Sequence, residues 1–313
     1  MEQLYDVIIL GGGPAGLTAG LYAGRSRLST LILEKGQAGG QITQTSEIEN
    51  YPGQLLEGET GLTLSQRMAD QAERFGARRV ADTVKQVDLT GPVKRLEGGA
   101  GAYLGRTAIL ATGASPRLIG CENEAKFTGS GISYCATCDG AFFRGLEVYV
   151  VGGGDSAVEE AIYLTRFARR VTIIHRRDQL RAARSIQERA FANEKIHFLW
   201  DSVVLRADGT DLLSSITVKH VKTGEETVLR ADPADGLIGL FGFVGHRPST
   251  QLFEGQLELD RGYIPTDEAM RTSLPGVFAA GDVRVKGLRQ VITAAADGAV
   301  AAMEAERYLA ELE

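Results

Sequence analysis

Two cysteines separated by two residues, Cys135 and Cys138, carry the clearest chemistry in this sequence. Thiols at this spacing can close a small disulfide and open it again. The carboxyl group of Asp139 follows directly, where it can handle protons. In a cytosolic chain with a βαβ pattern nearby, such a pair indicates a redox-active dithiol.

Two other interpretations of the pair stay open, namely half of a zinc site and two idle thiols. Zinc requires two further Cys or His ligands, but the chain has only one other cysteine, Cys121, and its four histidines are scattered without ligand spacing. We therefore expect no metal site, and we expect Cys121 to be a small packed or surface thiol. Asp139 also has an alternative role, as a cap for the helix that follows it.

Composition limits the possible classes of protein. The chain has 313 residues, enough for two ordinary domains, and its 43% hydrophobic and 24% charged content is typical of a globular protein. The net charge of −6 argues against a nucleic-acid partner. Three cysteines are too few for a disulfide framework, which suits a reducing compartment. Because we see neither a signal peptide nor an apolar run of membrane-spanning length, we expect a cytoplasmic location and no membrane partner.

A glycine-rich turn lies between the first predicted strand and helix. Residues 5–10 form a short run that is apolar apart from Asp6 and predicts a buried parallel strand, GGGPAG follows at positions 11–16, and residues 17–25 predict a helix. In this G-x-G-x-x-G pattern Gly11 allows the tight turn, Gly13 lets a pyrophosphate approach the backbone, and Gly16 lets helix and strand pack closely. The helix N-terminus faces the phosphates, so the pattern predicts a dinucleotide site.

An acidic residue supports this first site. The strand predicted at residues 30–33 ends in Glu34, about 20 residues after the glycines, where a carboxylate can accept hydrogen bonds from ribose hydroxyls. The alternative for Glu34 is a solvated surface acid. Residues 35–53 then form a long polar loop, whose glycines predict a backbone that lies close to a ligand.

A second fingerprint follows the dithiol. Residues 147–151 predict a buried strand, residues 152–157 read GGGDSA in the G-x-G-x-x-A form, and residues 158–168 predict a helix. The next strand, at 171–174, ends in His175-Arg176-Arg177 instead of an acid, with Arg181 and Arg184 close behind. Guanidinium groups at this position suit the 2′-phosphate of NADP. The alternative is a solvated basic run at the start of a helix.

Further elements frame these motifs. We predict a helix at residues 60–75, hairpin strands at 80–89 and 93–104, strands at 107–113, 196–200, 215–220, 227–230, 236–244 and 277–280, and a closing helix at 290–309. The single tryptophan, Trp200, is expected in the core.

Together the motifs resemble those of the bacterial low-molecular-weight thioredoxin reductases, class II of the pyridine nucleotide-disulphide oxidoreductases. The resemblance covers essentially the whole chain, least closely around Cys121. It rests on GGGPAG at 11–16, GQ at 40–41, ENYPG at 49–53, ATGA at 111–114, CATCDG at 135–140, residues 152–160, HRRD at 175–178, GDV at 281–283 and RQ at 289–290.

The resemblance implies an α/β fold with two Rossmann-like, three-layer dinucleotide-binding domains, one inserted into the other. Residues 1–115 and 247–313 would form the FAD-binding domain, and residues 116–246 would form the NADPH-binding domain that carries the dithiol. The catalytic residues would be Cys135, Cys138 and Asp139. The FAD site would comprise Gly11, Gly13, Pro14, Ala15, Gly16, Glu34, Lys35, Gly36, Gln37, Ala38, Gly39, Gly40, Gln41, Asn50, Ala111, Thr112, Gly113, Gly281, Asp282, Arg289, Gln290 and Val291. The NADPH site would comprise Gly152, Gly154, Asp155, Ser156, Ala157, His175, Arg176, Arg177 and Arg181.

The implied activity is electron transfer from NADPH through FAD and the dithiol to oxidised thioredoxin, in a homodimer. By the same resemblance, Cys138 lies nearest the flavin, Cys135 attacks the protein substrate, and Asp139 exchanges a proton with a thiol. The alternatives are a reductase for another small redox protein or for a peroxiredoxin system, a dithiol oxidase that passes electrons to oxygen, and a non-catalytic nucleotide-binding or zinc-binding module. An ordinary Gly-Asp turn is the alternative for Asp282.

Overall fold

The computed structural model describes residues 3–44, 48, 50–55 and 57–312. In chain order its strands are β1 (Leu4–Leu10), β2 (Thr30–Glu34), β3 (Arg78–Ala81), β4 (Gln86–Asp88), β5 (Lys94–Glu97), β6 (Ala102–Leu110), β7 (Ala114–Pro116), β8 (Ile132–Ser133), β9 (Glu147–Val151), β10 (Arg170–Ile174), β11 (Ile196–Leu199), β12 (Ser202–Gly209), β13 (Leu213–His220), β14 (Glu226–Arg230), β15 (Gly239–Gly242), β16 (His246–Pro248) and β17 (Val277–Ala279). Its helices are α1 (Pro14–Arg25), α2 (Gly61–Arg74), α3 (Glu124–Phe127), α4 (Ala136–Asp139), α5 (Asp155–Leu164), α6 (Arg184–Phe191) and α7 (Val291–Ala310).

The chain divides into two compact units. The first comprises the residues up to Ser115 and from Arg247 onward, and the second comprises Pro116–His246. The chain passes from one unit to the other in β7 and returns in β16, and these two strands pair with each other.

A seven-stranded sheet forms the middle layer of the first unit, in the order β3–β2–β1–β6–β5–β4, with β17 also paired to β6. Parallel pairing joins β3, β2, β1, β6 and β17. By contrast, β5 pairs in antiparallel fashion with both β6 and β4. Residues 7–10 of β1 are apolar because both faces of the sheet are covered there. Val7 and Ile9 pack in one buried cluster with residues of α1 and α7, and Ile8 and Leu10 pack in another cluster on the opposite face.

Small residues let α1 and α7 approach closely. A Cβ atom added at Gly298 of α7 would lie 2.1 Å from the carbonyl oxygen of Ala15 in α1. Ala301, Ala302 and Ala305 are fully or almost fully buried on the same helix. The alanine-rich face of α7 is therefore the face that packs on the core.

A parallel sheet also organises the second unit, in the order β11–β10–β9–β15–β8. Val148 and Val150 of β9 pack with α5 on one face, whereas Tyr149 packs on the other face with the antiparallel sheet β12–β13–β14. The fold class predicted from the sequence, α/β with two Rossmann-like units, is confirmed.

Several elements differ from the sequence prediction. The sequence analysis predicted a hairpin strand at 93–104 and a separate strand at 107–113. In the structure β6 continues without a break between these two regions, because its first residues pair with β5 and its residues 104–110 pair with β1. β12 was not predicted. Helices α1 and α5 begin at Pro14 and Asp155, immediately after Gly13 and Gly154, since proline suits the first helical turn and an acid suits a helix N-terminus.

The long loop predicted at residues 35–53 is not wholly irregular. A 3-10 helix occupies Gly40–Gln44, and residues 45–47 and 49 of this stretch lie outside the described part of the chain. Within the residues that are described, no helix combines the length and apolar character needed to cross a membrane.

Candidate active site

The two cysteines lie at the start of α4, directly after strand β8. Cys135 and Cys138 are joined by a disulfide, with their Cα atoms 5.3 Å apart. Cys135 has extended backbone torsions and occupies the N-cap position of α4, and both cysteines are half-buried. The spacing of one helical turn is what allows the two sulfur atoms to meet.

Asp139 does not cap the 3-10 helix that follows at Gly140–Phe143. Its carboxylate instead accepts a hydrogen bond of 2.6 Å from the hydroxyl group of Ser133 in β8. Burial raises the pKa of Asp139, and the Ser133 hydrogen bond opposes that rise because it favours the charged form. A carboxyl group with a raised pKa beside a dithiol is suited to exchange protons with it.

The first fingerprint has the geometry that its glycines predict. Gly11 has a φ of +115°, and an added Cβ atom would lie 2.2 Å from the Ala111 carbonyl oxygen. A Cβ atom at Gly16 would lie 1.9 Å from the Gly11 carbonyl oxygen, so this position requires glycine for helix–strand packing. At Gly13 the nearest atom to an added Cβ would be the Gly39 carbonyl oxygen at 3.8 Å, which leaves open space beside the backbone.

Glu34 is held at the end of β2. Its Oε2 atom accepts a hydrogen bond of 2.7 Å from the backbone N–H of Gly12, and the residue is half-buried. The alternative of a solvated surface acid is therefore wrong. The hydrogen bond fixes the carboxylate against the glycine turn, and Glu34 lines the cleft described next.

A cleft of about 310 Å³ opens in the first unit. Its wall contains many of the residues predicted to bind FAD, namely Gly11, Gly13, Pro14, Ala15, Glu34, Lys35, Gly40, Gln41, Ala111, Thr112, Gly113, Gly281, Asp282, Gln290 and Val291. The structure thus brings together residues from the N-terminal, central and C-terminal parts of the sequence.

The other predicted FAD residues lie outside this wall, namely Gly16, Gly36, Gln37, Ala38, Gly39, Asn50 and Arg289. Some of them support it from behind. The Gly39 N–H donates to the carbonyl oxygen of Gly12 at 2.7 Å, the Asn50 amide donates to the Gln290 side chain at 3.1 Å, and Arg289 stacks on a tyrosine ring.

Two cleft segments were missed by the sequence analysis. They are Asp82, Thr83 and Val84, which follow β3, and Ser249, Gln251 and Leu252, which follow β16. A signal existed for the first segment, because ligands bind beyond the carboxyl ends of parallel strands. Asp82 directly follows Ala81, the last residue of β3, and Ala81 pairs with Glu34 at the end of the adjacent β2.

Asp282 brings an unpaired polar atom to the cleft. Its Oδ1 atom is buried and has no hydrogen-bond partner among the described residues. Burial raises the pKa of Asp282, and the nearby charges of Lys286 and Arg289 oppose the rise. Buried polar atoms are normally paired, so the atom fits a ligand with hydrogen-bond donors.

The loop that carries Asp282 is anchored to α7 by Asp297. This buried carboxylate accepts from the Gly281 N–H at 2.9 Å and pairs with Arg284 at 2.8 Å and Lys286 at 2.7 Å. Residues 281–286 are therefore fixed to Asp297 in α7.

The second fingerprint is covered by the loop that follows β10. The carbonyl oxygen of Gly153 accepts from the N–H groups of Arg181 at 2.6 Å and Ala182 at 3.2 Å, and Asp155 accepts from the Ala183 N–H at 2.7 Å. These hydrogen bonds bring the end of the basic segment to the N-terminus of α5.

His175 and the arginines occupy different environments. The imidazole is buried beneath Gly153, and burial together with the charges of neighbouring arginines lowers its pKa. By contrast Arg176, Arg177 and Arg181 are exposed, and they form no ion pair within the described residues. The arginines are thus available to an anionic ligand, whereas the His175 ring supports the turn from below.

Comparison with known proteins decides the family. The family model for pyridine nucleotide-disulphide oxidoreductases matches residues 5–298. This chain belongs to the pyridine nucleotide-disulphide oxidoreductase family.

Similar proteins extend over the full length of this oxidoreductase. It is 54% identical to a thioredoxin reductase of Peptoclostridium litorale, with 100% of this chain and 99% of the relative covered. It is 45% identical to a thioredoxin reductase of Bacillus subtilis, with coverage of 100% and 97%. The crystal structure of a Streptococcus pyogenes thioredoxin reductase superposes with a TM-score of 0.92 at 46% identity, covering 99% of this chain and 100% of that one.

The remaining thiol and the tryptophan of this oxidoreductase are structural. Cys121 is buried, and burial raises its pKa to about 11, so the thiol is packed and unreactive. Trp200 is partly buried and stacks on Phe198 with a ring separation of 4.9 Å. Within the described residues no three His, Cys, Asp or Glu side chains form a cluster suited to a metal ion.

Proposed function

We propose that this oxidoreductase transfers electrons from NADPH through FAD and the Cys135–Cys138 dithiol to oxidised thioredoxin. The observation that carries the proposal is the half-buried disulfide, which lies in the same unit as an arginine-rich dinucleotide fingerprint. The thioredoxin reductases that are similar over their full length support the choice of substrate.

We assign FAD to the cleft of the first unit. The open space beside Gly13 suits a pyrophosphate, the fixed Glu34 carboxylate suits ribose hydroxyls, and the unpaired Asp282 oxygen suits a donor on the flavin nucleotide. Residues behind the wall, such as Gly39 and Asn50, would hold the loop in place. When bound, FAD supplies two-electron chemistry between a nicotinamide and a disulfide.

We assign NADPH to the second fingerprint. Gly152, Gly154, Asp155, Ser156 and Ala157 form the turn and the N-terminus of α5, which suits the pyrophosphate. The exposed guanidinium groups of Arg176, Arg177 and Arg181 suit the 2′-phosphate, because they are charged, forked donors without a competing carboxylate in the described part of the chain. His175 would act by supporting the glycine turn.

The dithiol chemistry follows from the residues at α4. Opening the disulfide with two electrons gives two thiolates, of which one attacks the disulfide of the substrate. We assign this attack to Cys135 and the flavin-side position to Cys138. Asp139 would give a proton to, and take a proton from, the neighbouring thiol. We also propose a homodimer and a cytoplasmic location, which accord with the thioredoxin reductase resemblance.

One assay tests the proposal directly. The purified protein is supplied with FAD and NADPH, and NADPH oxidation is followed with and without thioredoxin, using a chromogenic disulfide as the final acceptor. We expect turnover that requires both thioredoxin and an intact Cys138. Turnover with another small redox protein but not with thioredoxin would favour the alternative substrate class, thioredoxin-independent peroxide formation would favour an oxidase, and no FAD binding at all would overturn the proposal.

A further inference from the structure

The hydroxyl group of Ser133 connects two parts of the dithiol segment. Its Oγ atom donates to Oδ2 of Asp139 at 2.6 Å and accepts from the backbone N–H of Cys135 at 3.1 Å. Ser133 itself is buried, with 5% of its surface exposed, at the end of β8. One hydroxyl group therefore fixes both the Asp139 carboxylate and the backbone of the first cysteine.

The direction of the Ser133 hydroxyl proton follows from the distances. A serine has one O–H donor and two acceptor lone pairs. The Cys135 carbonyl oxygen lies 3.4 Å from Oγ, but the Asp139 carboxylate lies at 2.6 Å. The proton therefore points to Asp139, and a lone pair receives the Cys135 N–H. In this arrangement the hydroxyl group favours the charged form of the carboxyl group.

The Ser133 hydroxyl is the principal polar influence on Asp139. Helix α4 packs against α5 and continues into the 3-10 helix Gly140–Phe143, which has no ionisable residue. The acids of α5 are Asp155, Glu159 and Glu160, but the pKa of Asp139 responds to burial and to Ser133 rather than to any of these charges. On the segment from Ser133 to Asp139, the Tyr134 hydroxyl group donates to Glu124, and the two cysteine thiols become ionisable once the disulfide is open.

We propose that Ser133 is a positioning residue for proton exchange at the dithiol. Its hydroxyl group holds the Asp139 carboxyl group in one orientation against the start of α4 and sets how readily that group gives up its proton. The inference rests on the proposed function, because it assumes that the disulfide is opened during turnover.

The proton step balances as follows. In the proposed function, two electrons from NADPH break the Cys135–Cys138 bond and leave two thiolates. Protonated Asp139 gives its proton to the thiolate of the adjacent cysteine, which becomes a thiol, and the resulting carboxylate is stabilised by the Ser133 O–H. The other thiolate remains as the nucleophile for the disulfide of the substrate. When the disulfide closes again, the carboxylate takes the proton back.

Carbon-13 NMR of the Asp139 carboxyl carbon provides the test, because it requires no cofactor and no turnover. The signal is assigned by its loss in Asp139→Asn. In Ser133→Ala we expect the Asp139 titration to move to higher pH by about one unit, since a hydrogen bond to the charged form is lost. Ser133→Thr keeps a hydroxyl group and should restore the wild-type titration.

A matched control separates positioning from folding. Ser202 is another buried serine of the same unit, and its hydroxyl group donates to the Trp200 carbonyl oxygen at 2.7 Å. Ser202→Ala should lower thermal stability about as much as Ser133→Ala but leave the Asp139 titration unchanged. An unchanged titration in Ser133→Ala, or an equal shift in Ser202→Ala, would overturn the inference.

Enzyme kinetics test whether the Asp139 titration affects the reaction. In the thioredoxin assay, Ser133→Ala should lower kcat and move its pH profile upward in parallel with the NMR titration, with little change in the KM for NADPH. An altered KM with an unmoved pH profile would contradict the inference. If the wild-type protein showed no thioredoxin-dependent turnover, the proposed function would fail, whereas the NMR titration would still decide whether Ser133 controls Asp139.

Discussion

Replacing Gly13 by alanine should separate cofactor binding from folding. Gly13 has a φ of −77° and a ψ of −177°, which alanine also adopts, and its added Cβ atom would meet nothing nearer than 3.8 Å. The main cost to the empty protein is a poorer helix N-cap, about 0.5–1 kcal/mol of unfolding free energy. The protein should therefore fold almost normally.

The same methyl group should weaken FAD binding much more than folding. It occupies the space beside the backbone that the pyrophosphate needs, and we expect one or two charge-assisted hydrogen bonds to be lost. At about 1.5–3 kcal/mol each, a loss of about 3 kcal/mol corresponds to a Kd for FAD about a hundredfold higher.

Two glycines supply controls for Gly13→Ala. An added Cβ at Gly36 would meet no atom within 4 Å, and Gly36 lies outside the cleft wall, so Gly36→Ala should bind FAD normally. At Gly16 the Cβ would lie 1.9 Å from a backbone oxygen, so Gly16→Ala should lose stability even without FAD, by about 1–3 kcal/mol or more.

The assay measures FAD affinity by fluorescence titration of each apoprotein and stability by thermal unfolding of the same samples. Wild-type FAD affinity in Gly13→Ala would refute the placement of the pyrophosphate at this turn. An equal loss of affinity in Gly36→Ala would show that the loop, rather than the cleft wall, carries the binding.

Three further outcomes are expected. Replacing Arg176 and Arg177 together by alanine should raise the KM for NADPH by about tenfold to a hundredfold and leave the KM for NADH nearly unchanged. Each lost charged hydrogen bond costs about 1.5–3 kcal/mol, and contacts with solvent offset part of this cost. Equal losses with both cofactors would contradict this prediction. Cys138→Ser should leave Cys135 in a lasting mixed disulfide with thioredoxin, detectable as a species of added mass on a non-reducing gel and absent in the double serine variant. Asp297→Asn should lower the free energy of unfolding by about 3–5 kcal/mol, because two largely buried cations lose their counter-charge. A change below about 1 kcal/mol by denaturant titration would show that these ion pairs are not stabilising.

The sequence by itself determined the local parts of the site. A strand, a glycine turn and a helix are contiguous in the chain, so the roles of Gly11 and Gly16 depend on neighbours only a few residues away and could be predicted. The same holds for the disulfide, because two cysteines one helical turn apart meet without help from distant residues. The arginines after β10 could also be placed by their position at a strand end.

Only the tertiary structure decided which distant segments meet. The cleft wall joins Glu34 with Asp82 and with Asp282, which are far apart in sequence and become neighbours because parallel strands end at one edge of a sheet. His175 was predicted with the arginines, but packing buries its ring under Gly153 while they stay exposed.

The Ser133–Asp139 hydrogen bond also lay beyond the reach of the sequence, because it joins a strand to a helix across a turn whose path depends on packing. Periodicity and motif spacing describe the chain one element at a time. The directions of side chains from different elements are set by how those elements pack, and that information exists only in the folded chain.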